Sequence, residues 1–273
     1  MEAIGIYQVP TWTLSSRALK ISAASWFAVA AVGQLFFVIY ILGFYGRAAV
    51  LGNWETWNKV MPNGLIAGDS IGNLVLGIHL LFAAIITASG VLQLLPQIRQ
   101  YAPSFHRWNG RLYLLSAVLM SLGGLIMIWT RGSVGGPVMA VTISINAVLI
   151  LLFAALTLRY ALARDIATHR RWALRLFLAV SGVWFFRVGL MFSLMANQGP
   201  FGFDPETFRG PFLEFLGAAQ YVIPLALLEL YFYAQRSQKS WIRLTTTLVL
   251  AMAAVATAIG VFAASMGMWL PRI

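Results

Sequence analysis

Seven apolar stretches, each about as long as a bilayer is thick, constrain this chain more than any other feature. They centre on residues 22–45, 72–96, 111–130, 138–162, 173–196, 212–235 and 244–269. A helix needs roughly 20 mostly apolar residues to cross the hydrocarbon core. In lipid the backbone must satisfy its own hydrogen bonds, which a helix does within one segment. The stretches use most of the 273 residues, of which 60% are hydrophobic and 10% charged, so no soluble domain is left over. The expected fold class is therefore all-α. It is one transmembrane domain over residues 1–273, a polytopic bundle of seven transmembrane helices.

The net charge of +11 invites a nucleic-acid reading, which its distribution removes. If the spans alternate, one face collects Arg17, Lys20, Arg99, Arg107, Arg111, Arg159, Arg164, Arg170, Arg171, Arg175, Arg236, Lys239 and Arg243. The other collects Arg47, Lys59, Arg131, Arg209 and Arg272, and Arg187 lies within a span. The positive-inside rule then places the N-terminus in the cytoplasm and the C-terminus outside. The basic face meets anionic lipid head groups, and no nucleic-acid partner is expected. The chain has no cysteine, which excludes disulfides, thiolate metal sites and covalently attached c-type haem. The first apolar segment runs on through Phe36, Phe37 and Tyr40 with no signal-peptide cleavage pattern, so it reads as an uncleaved span.

Residues 1–16, with Pro10, read as a polar-aromatic segment on the cytoplasmic surface. Two outer connections are long. The one from Gly46 to Ser70 carries Trp54 and Trp57 and reads as holding a short interfacial helix. The one from Asn197 to Pro211 is broken by glycine and proline, and its phenylalanines are expected to dip toward the membrane. The inner loops are short and basic. A stripe of Ala256, Gly260 and Ala264 in the last span, and Gly123 with Gly124 in the third, reads as close helix packing.

Two near-copies of one motif stand at the foot of apolar segments: His106-Arg107-Trp108-Asn109-Gly110-Arg111 and His169-Arg170-Arg171-Trp172-Ala173-Leu174-Arg175. Their histidines are 63 residues apart, which pairs 72–130 with 138–196 as a candidate duplicated hairpin. Ile78-His79-Leu80, Gly90-Val91-Leu92-Gln93, the first motif with Leu112-Tyr113, then Asp165, His169-Arg170-Arg171-Trp172 and Arg187 together resemble a set of bacterial membrane proteins. That set is the family domain of unknown function 2306, and the resemblance covers roughly residues 72–195. Its pattern often has methionine where this chain has Ala173. The resemblance implies a helical membrane fold in a bacterial plasma (inner) membrane and assigns no activity or cofactor.

Polar side chains inside the spans carry the chemistry. Counting helical rise from the outer ends puts His79, Asn146, Arg187 and Gln220 at one level, roughly 10 Å below the outer surface. An arginine in hydrocarbon costs on the order of 3 kcal/mol even on the lenient scale, so it needs partners or water. The four are expected to converge on an outer-side pocket for a quinone head group, a haem propionate or a lipid phosphate. A neutral His79 suits a quinone carbonyl, and Arg187 suits developing negative charge. The structural alternative is that Arg187 snorkels outward while Asn146 and Gln220 bond across helices.

At the inner face, His106 and His169 are candidate ligands of one b-type haem iron, with Arg107, Arg111, Arg170, Arg171 and Arg175 for its propionates. The alternative is that these groups grip lipid phosphates while Trp108 and Trp172 mark the head-group level. Three histidines in all exclude a two-haem wire built on four. Glu229 is expected to pair with Arg175 or Arg111. No P-loop, HExxH, GxSxG elbow or paired carboxylates appear. The functional expectation is quinone or haem binding in membrane electron transfer. The alternatives are an auxiliary subunit packing against a membrane protein partner, and a small-solute or lipid transporter. The transporter reading is weakened by the lack of an evident broken helix at the midplane.

Overall fold

The computed structural model describes residues 14–61 and 64–273, so the expected surface segment at the N-terminus falls mostly outside the described residues. In chain order the helices are α1 (Leu14–Tyr40), α2 (Arg47–Val50), α3 (Ser70–Leu94), α4 (Pro96–Tyr101) and α5 (Pro103–Arg131). They continue with α6 (Gly136–Leu162), α7 (Ile166–Val180), α8 (Gly182–Ala196), α9 (Pro211–Arg236) and α10 (Ser240–Ala264). Their starts carry the expected local signals. Asp69 caps α3 by accepting from the Gly72 N–H at 2.9 Å, and Asp165 caps α7 through Thr168 at 3.0 Å. Proline stands in the first turn of α4, α5, α6 and α9, where its missing N–H costs nothing.

Among the described residues, six helices are individually long and apolar enough to cross a membrane. The first and last exceed the expected stretches, running Leu14–Val50 and Ser240–Arg272. Each widens into a π-turn near its end, at Ile41–Gly46 and Ser265–Trp269.

The fifth crossing departs from expectation. It is broken into α7 and α8, bent by 51° at Ser181. Three residues explain the break. Gly182 weakens helix propensity, the Ser181 hydroxyl bonds back to the Phe177 carbonyl at 2.8 Å, and the Asn146 amide inserts from α6 to donate to the Ala179 carbonyl at 3.1 Å. The bent pair still runs the length of α6. His169 near the start of α7 bonds the Thr157 carbonyl near the foot of α6, and Arg209 beyond α8 lies against Gly136 at its head. Taken as one span, the bent pair is the seventh candidate crossing among the described residues.

The packing order positions the site. α1 touches α10 and α3, α3 touches α5, and α5 touches α6. α6 packs on α7 and α9, while α8 packs on α9 and α10. The broken span thus sits among α6, α9 and α10 and turns its bend toward α1, where the Gln34 amide donates to the Ser181 hydroxyl at 2.9 Å.

The two long connections, Gly46 to Ser70 and Asn197 to Pro211, are more enclosed than expected. The turn at Trp54–Lys59 is short and 3₁₀, and Trp57 is 3% exposed, donating its indole N–H to the Tyr45 carbonyl at 3.1 Å. Trp57 is therefore core and no head-group marker. In the second connection Phe203 and Phe208 pack with Phe186 and Phe212 at the head of α9, while Phe201 remains exposed.

Candidate intramembrane site

A cavity of about 310 Å³ lies between α1, α3, α5 and the bent span, within the range of small-molecule sites. His79 of α3 and Arg187 of α8 both line it. His79 follows the start of α3 by nine residues and Arg187 precedes the end of α8 by nine, so helical rise puts both about 14 Å from their outer ends. Gly123 and Gly124 of α5 face the His79 ring, where even a Cβ would come within 4 Å of it. These glycines bring the α5 backbone alongside the imidazole. Arg187 stacks over Phe37 at 5.4 Å and donates to the Val183 carbonyl of its own helix at 3.2 Å. Among the described residues no carboxylate pairs with it; the ion pairs are Arg131–Asp69 and Arg175–Glu229.

The deeper wall adds Gln34, Thr87, Tyr113 and Ser181, with Trp184 beside Arg187. Four atoms of lining residues are sealed from solvent with no hydrogen-bond partner among the described residues: Gln34 Oε1, His79 Nδ1, Tyr113 Oη and Trp184 Nε1. An unmet buried polar atom costs about 1–3 kcal/mol. Together they offer two donors, one acceptor and an imidazole nitrogen of either kind. The rest of the lining is apolar, including Leu76, Leu80, Ile86, Met120, Met127 and Phe177. Such a cavity fits a ring with carbonyl or hydroxyl groups and an apolar body.

Asn146 and Gln220 do not join this cavity, which corrects the expected four-residue convergence. Both meet on the other side of the bend, where a Cβ on Gly182 would lie 2.8 Å from Asn146 Nδ2 and 3.5 Å from Gln220 Oε1. Pro224 lies within α9 and leaves the Gln220 carbonyl without its helical partner. The Asn146 amide thus serves a carbonyl at the break and the Gln220 amide the Gly217 carbonyl of its own helix at 2.7 Å, and neither residue lines the cavity with Arg187. Gln34 takes their place at the cavity. Its signal was present in the sequence, a glutamine in the apolar body of the first span, and it is 2% exposed.

One end of the cavity carries a latch that ties α5 to the segment before α3. Arg131, at the end of α5, donates to the Gly64 carbonyl at 2.7 Å, to Asp69 at 3.1 Å and to Asn73 at 3.0 Å. The Arg131 guanidinium, with the Gly72 N–H, holds the Asp69 carboxyl below its usual range.

At the opposite face, the histidine motifs fasten hairpins. His169 Nδ1 is 2.9 Å from the Thr157 carbonyl. The Gln93 amide donates to the His106 carbonyl at 3.1 Å and sits 3.4 Å from His106 Nε2. Asn109 binds Gln93 and the Ser89 carbonyl. The Gln93 amide thus lies beside His106 Nε2, His106 Nδ1 is buried with no hydrogen-bond partner among the described residues, and neither histidine lines the cavity. Arg107 bonds Ser104, and Arg111 lies over Trp108 at 4.8 Å. Arg175 pairs with Glu229 at 2.7 Å and stacks on Trp172 at 4.5 Å, while Arg171 lies over Phe232 at 5.5 Å. Arg170 is exposed. No cluster of three metal-ligating side chains occurs among the described residues.

The family model described as predicted membrane protein, domain of unknown function 2306, matches residues 76–205. The match takes in α3 from Leu76, α5, α6, the bent span and the start of the second outer connection, so both His79 and Arg187 lie within it. Neither a curated protein nor a solved structure matches the chain.

Proposed function

We propose that this multi-pass membrane protein binds a quinone-type amphiphile in its intramembrane cavity and serves membrane electron transfer. The observation that carries the reading is the meeting of His79 and Arg187 at one depth in a cavity with four unmet polar atoms. A quinone carbonyl accepts from His79, Tyr113, Trp184 or Arg187, and the hydroxyl of the reduced form donates to Gln34 Oε1. The apolar lining holds the ring. A single histidine among the residues that line the cavity favours this ligand over a bis-histidine haem there.

Trp184 lines the cavity and reports on it. Titrating the detergent-purified protein with a tail-less benzoquinone is expected to quench tryptophan fluorescence saturably. Linear quenching identical to that of free tryptophan would refute a site.

The charge asymmetry supports a cytoplasmic N-terminus and a plasma-membrane location. Cysteines placed at Ser104 and Gln238, both exposed, are expected to react only with membrane-permeant thiol reagents in intact cells. A cysteine at the exposed Thr207 reacts with impermeant ones too. The inverse pattern would reverse the orientation.

The 51° break favours a second reading, transport of the amphiphile, because discontinuous spans are where transporters place their sites. Ser181 at the break also lines the cavity. Vesicles with reconstituted protein would then exchange an internal water-soluble quinone for an external one, and protein-free exchange rates would dismiss this reading.

A further inference from the structure

A second cavity, about 520 Å³, flanks the first on the side of α1 and α3. It is lined by the π-turn residues Ile41, Leu42 and Tyr45, by Trp54 and Trp57, and by α3 from Asn73 to Leu81. Its one polar side chain on α3, Asn73, is committed elsewhere, exchanging hydrogen bonds with the Ile66 backbone at 2.8 and 3.0 Å and accepting from Arg131. The rest of the α3 wall is apolar, as are Ile41, Leu42 and Leu65 across from it.

Its rim faces outward from the bundle. Leu42, Leu74, Ile78 and Leu81 are all exposed, on helices that cross the membrane. Its inner wall is shared: Ile41, Tyr45 and Leu80 line both cavities. The partition is thus one layer of side chains thick. Two of the three partition residues stand on the widened turn Ile41–Gly46, and π-turns in α-helices are often found at functional sites.

We infer that the groove is the lateral entrance from the bilayer and the seat of the hydrocarbon tail of the ligand whose ring occupies the polar cavity. The inference rests on the cavity reading above and extends it: the ligand is long-tailed and arrives through lipid. The tail is specified by the contrast between the two spaces, one carrying His79, Arg187 and several buried polar groups, the other lined almost wholly by apolar side chains and exposed at its rim. Displacement of Ile41, Tyr45 or Leu80 joins them. A ring that enters this way need not cross the latch of Arg131, Asp69 and Asn73.

Gly77 lines the groove but not the polar cavity, and a Cβ there would meet Trp57 at 3.8 Å, an ordinary contact. Gly77→Ala therefore keeps the groove, while Gly77→Leu fills it. The test compares a decyl-tailed benzoquinone in vesicles with the same ring lacking its tail, following tryptophan quenching in stopped flow. Gly77→Leu is expected to slow the tailed probe about tenfold and leave the tail-less ring unchanged. Gly77→Ala should bind both like the wild type. If the tailed probe binds the Gly77→Leu protein at the wild-type rate, the groove is an ordinary lipid seat and the inference is overturned. A wild-type protein that binds neither probe removes the cavity reading, and this inference with it. Should Gly77→Leu fail to fold, Leu74→Phe at the exposed rim decides by the same two rates.

Discussion

Arg187→Leu is expected to weaken binding of the tail-less benzoquinone about 10- to 100-fold while the bundle stays folded. The magnitude follows from a charge-assisted hydrogen bond, worth about 1.5–3 kcal/mol. Folding does not depend on the guanidinium. Among the described residues it bonds a carbonyl of its own helix and stacks on Phe37, and no carboxylate answers it. Placing arginine deep in a span costs about 2.5–3.5 kcal/mol on the lenient scale, so leucine relieves a cost as it removes the donor. Arg187→Lys is expected to restore little, because an ammonium lacks the planar fork. Binding constants and melting temperatures of the three proteins check this together. Unchanged affinity in Arg187→Leu, or a melting temperature that falls in step with affinity, would assign Arg187 to structure.

The largest effect on stability is expected at Gly260. A Cβ there would lie 2.6 Å from both the carbonyl oxygen and Cγ1 of Val188, where α10 crosses α8. The backbone oxygen has no rotamer to escape into, so Gly260→Val must part the helices, at about 3 kcal/mol or more. Gly33 makes the matching approach from α1, its Cβ position lying 2.5 Å from Val261 and 2.7 Å from Trp184. Ala256 supplies the control. It belongs to the same small-residue stripe yet is exposed, so Ala256→Val should leave the protein intact. Thermal unfolding in detergent, followed by monodispersity on size exclusion, measures both. A Gly260→Val protein as stable as Ala256→Val would contradict the packing described.

These cases show what a membrane sequence discloses and what it hides. His79 and Arg187 were set at one level by counting residues, and both line one cavity. The azimuth of the other two was not legible. Asn146 and Gln220 lie on the far side of the bend, and within a bilayer lipid is as apolar as the protein interior, so apolar periodicity does not reveal which way a helix faces. The break at Ser181 escaped for a related reason. Serine and glycine are ordinary packing residues in spans, and their effect here depends on Asn146 arriving from α6. Gln34 needed no tertiary information, only the same scrutiny of the first span that the others received. Glu229 was narrowed to two arginines from its position, and Arg175 proved to be its partner. The histidine motifs were conspicuous in sequence because they repeat. Yet each fastens a helix to its predecessor, through Thr157 in one case and Gln93 in the other.

The claim that the cavity holds a quinone-type amphiphile is tested most directly by what the protein carries out of its own membrane. Protein purified in mild detergent is extracted with organic solvent, and the extract is analysed by mass spectrometry beside that of Arg187→Leu. The account predicts a long-tailed quinone near one per wild-type chain, depleted in the variant, and no haem bands in the visible spectrum. Equal quinone in both extracts, at the level of bulk membrane lipid, would contradict it.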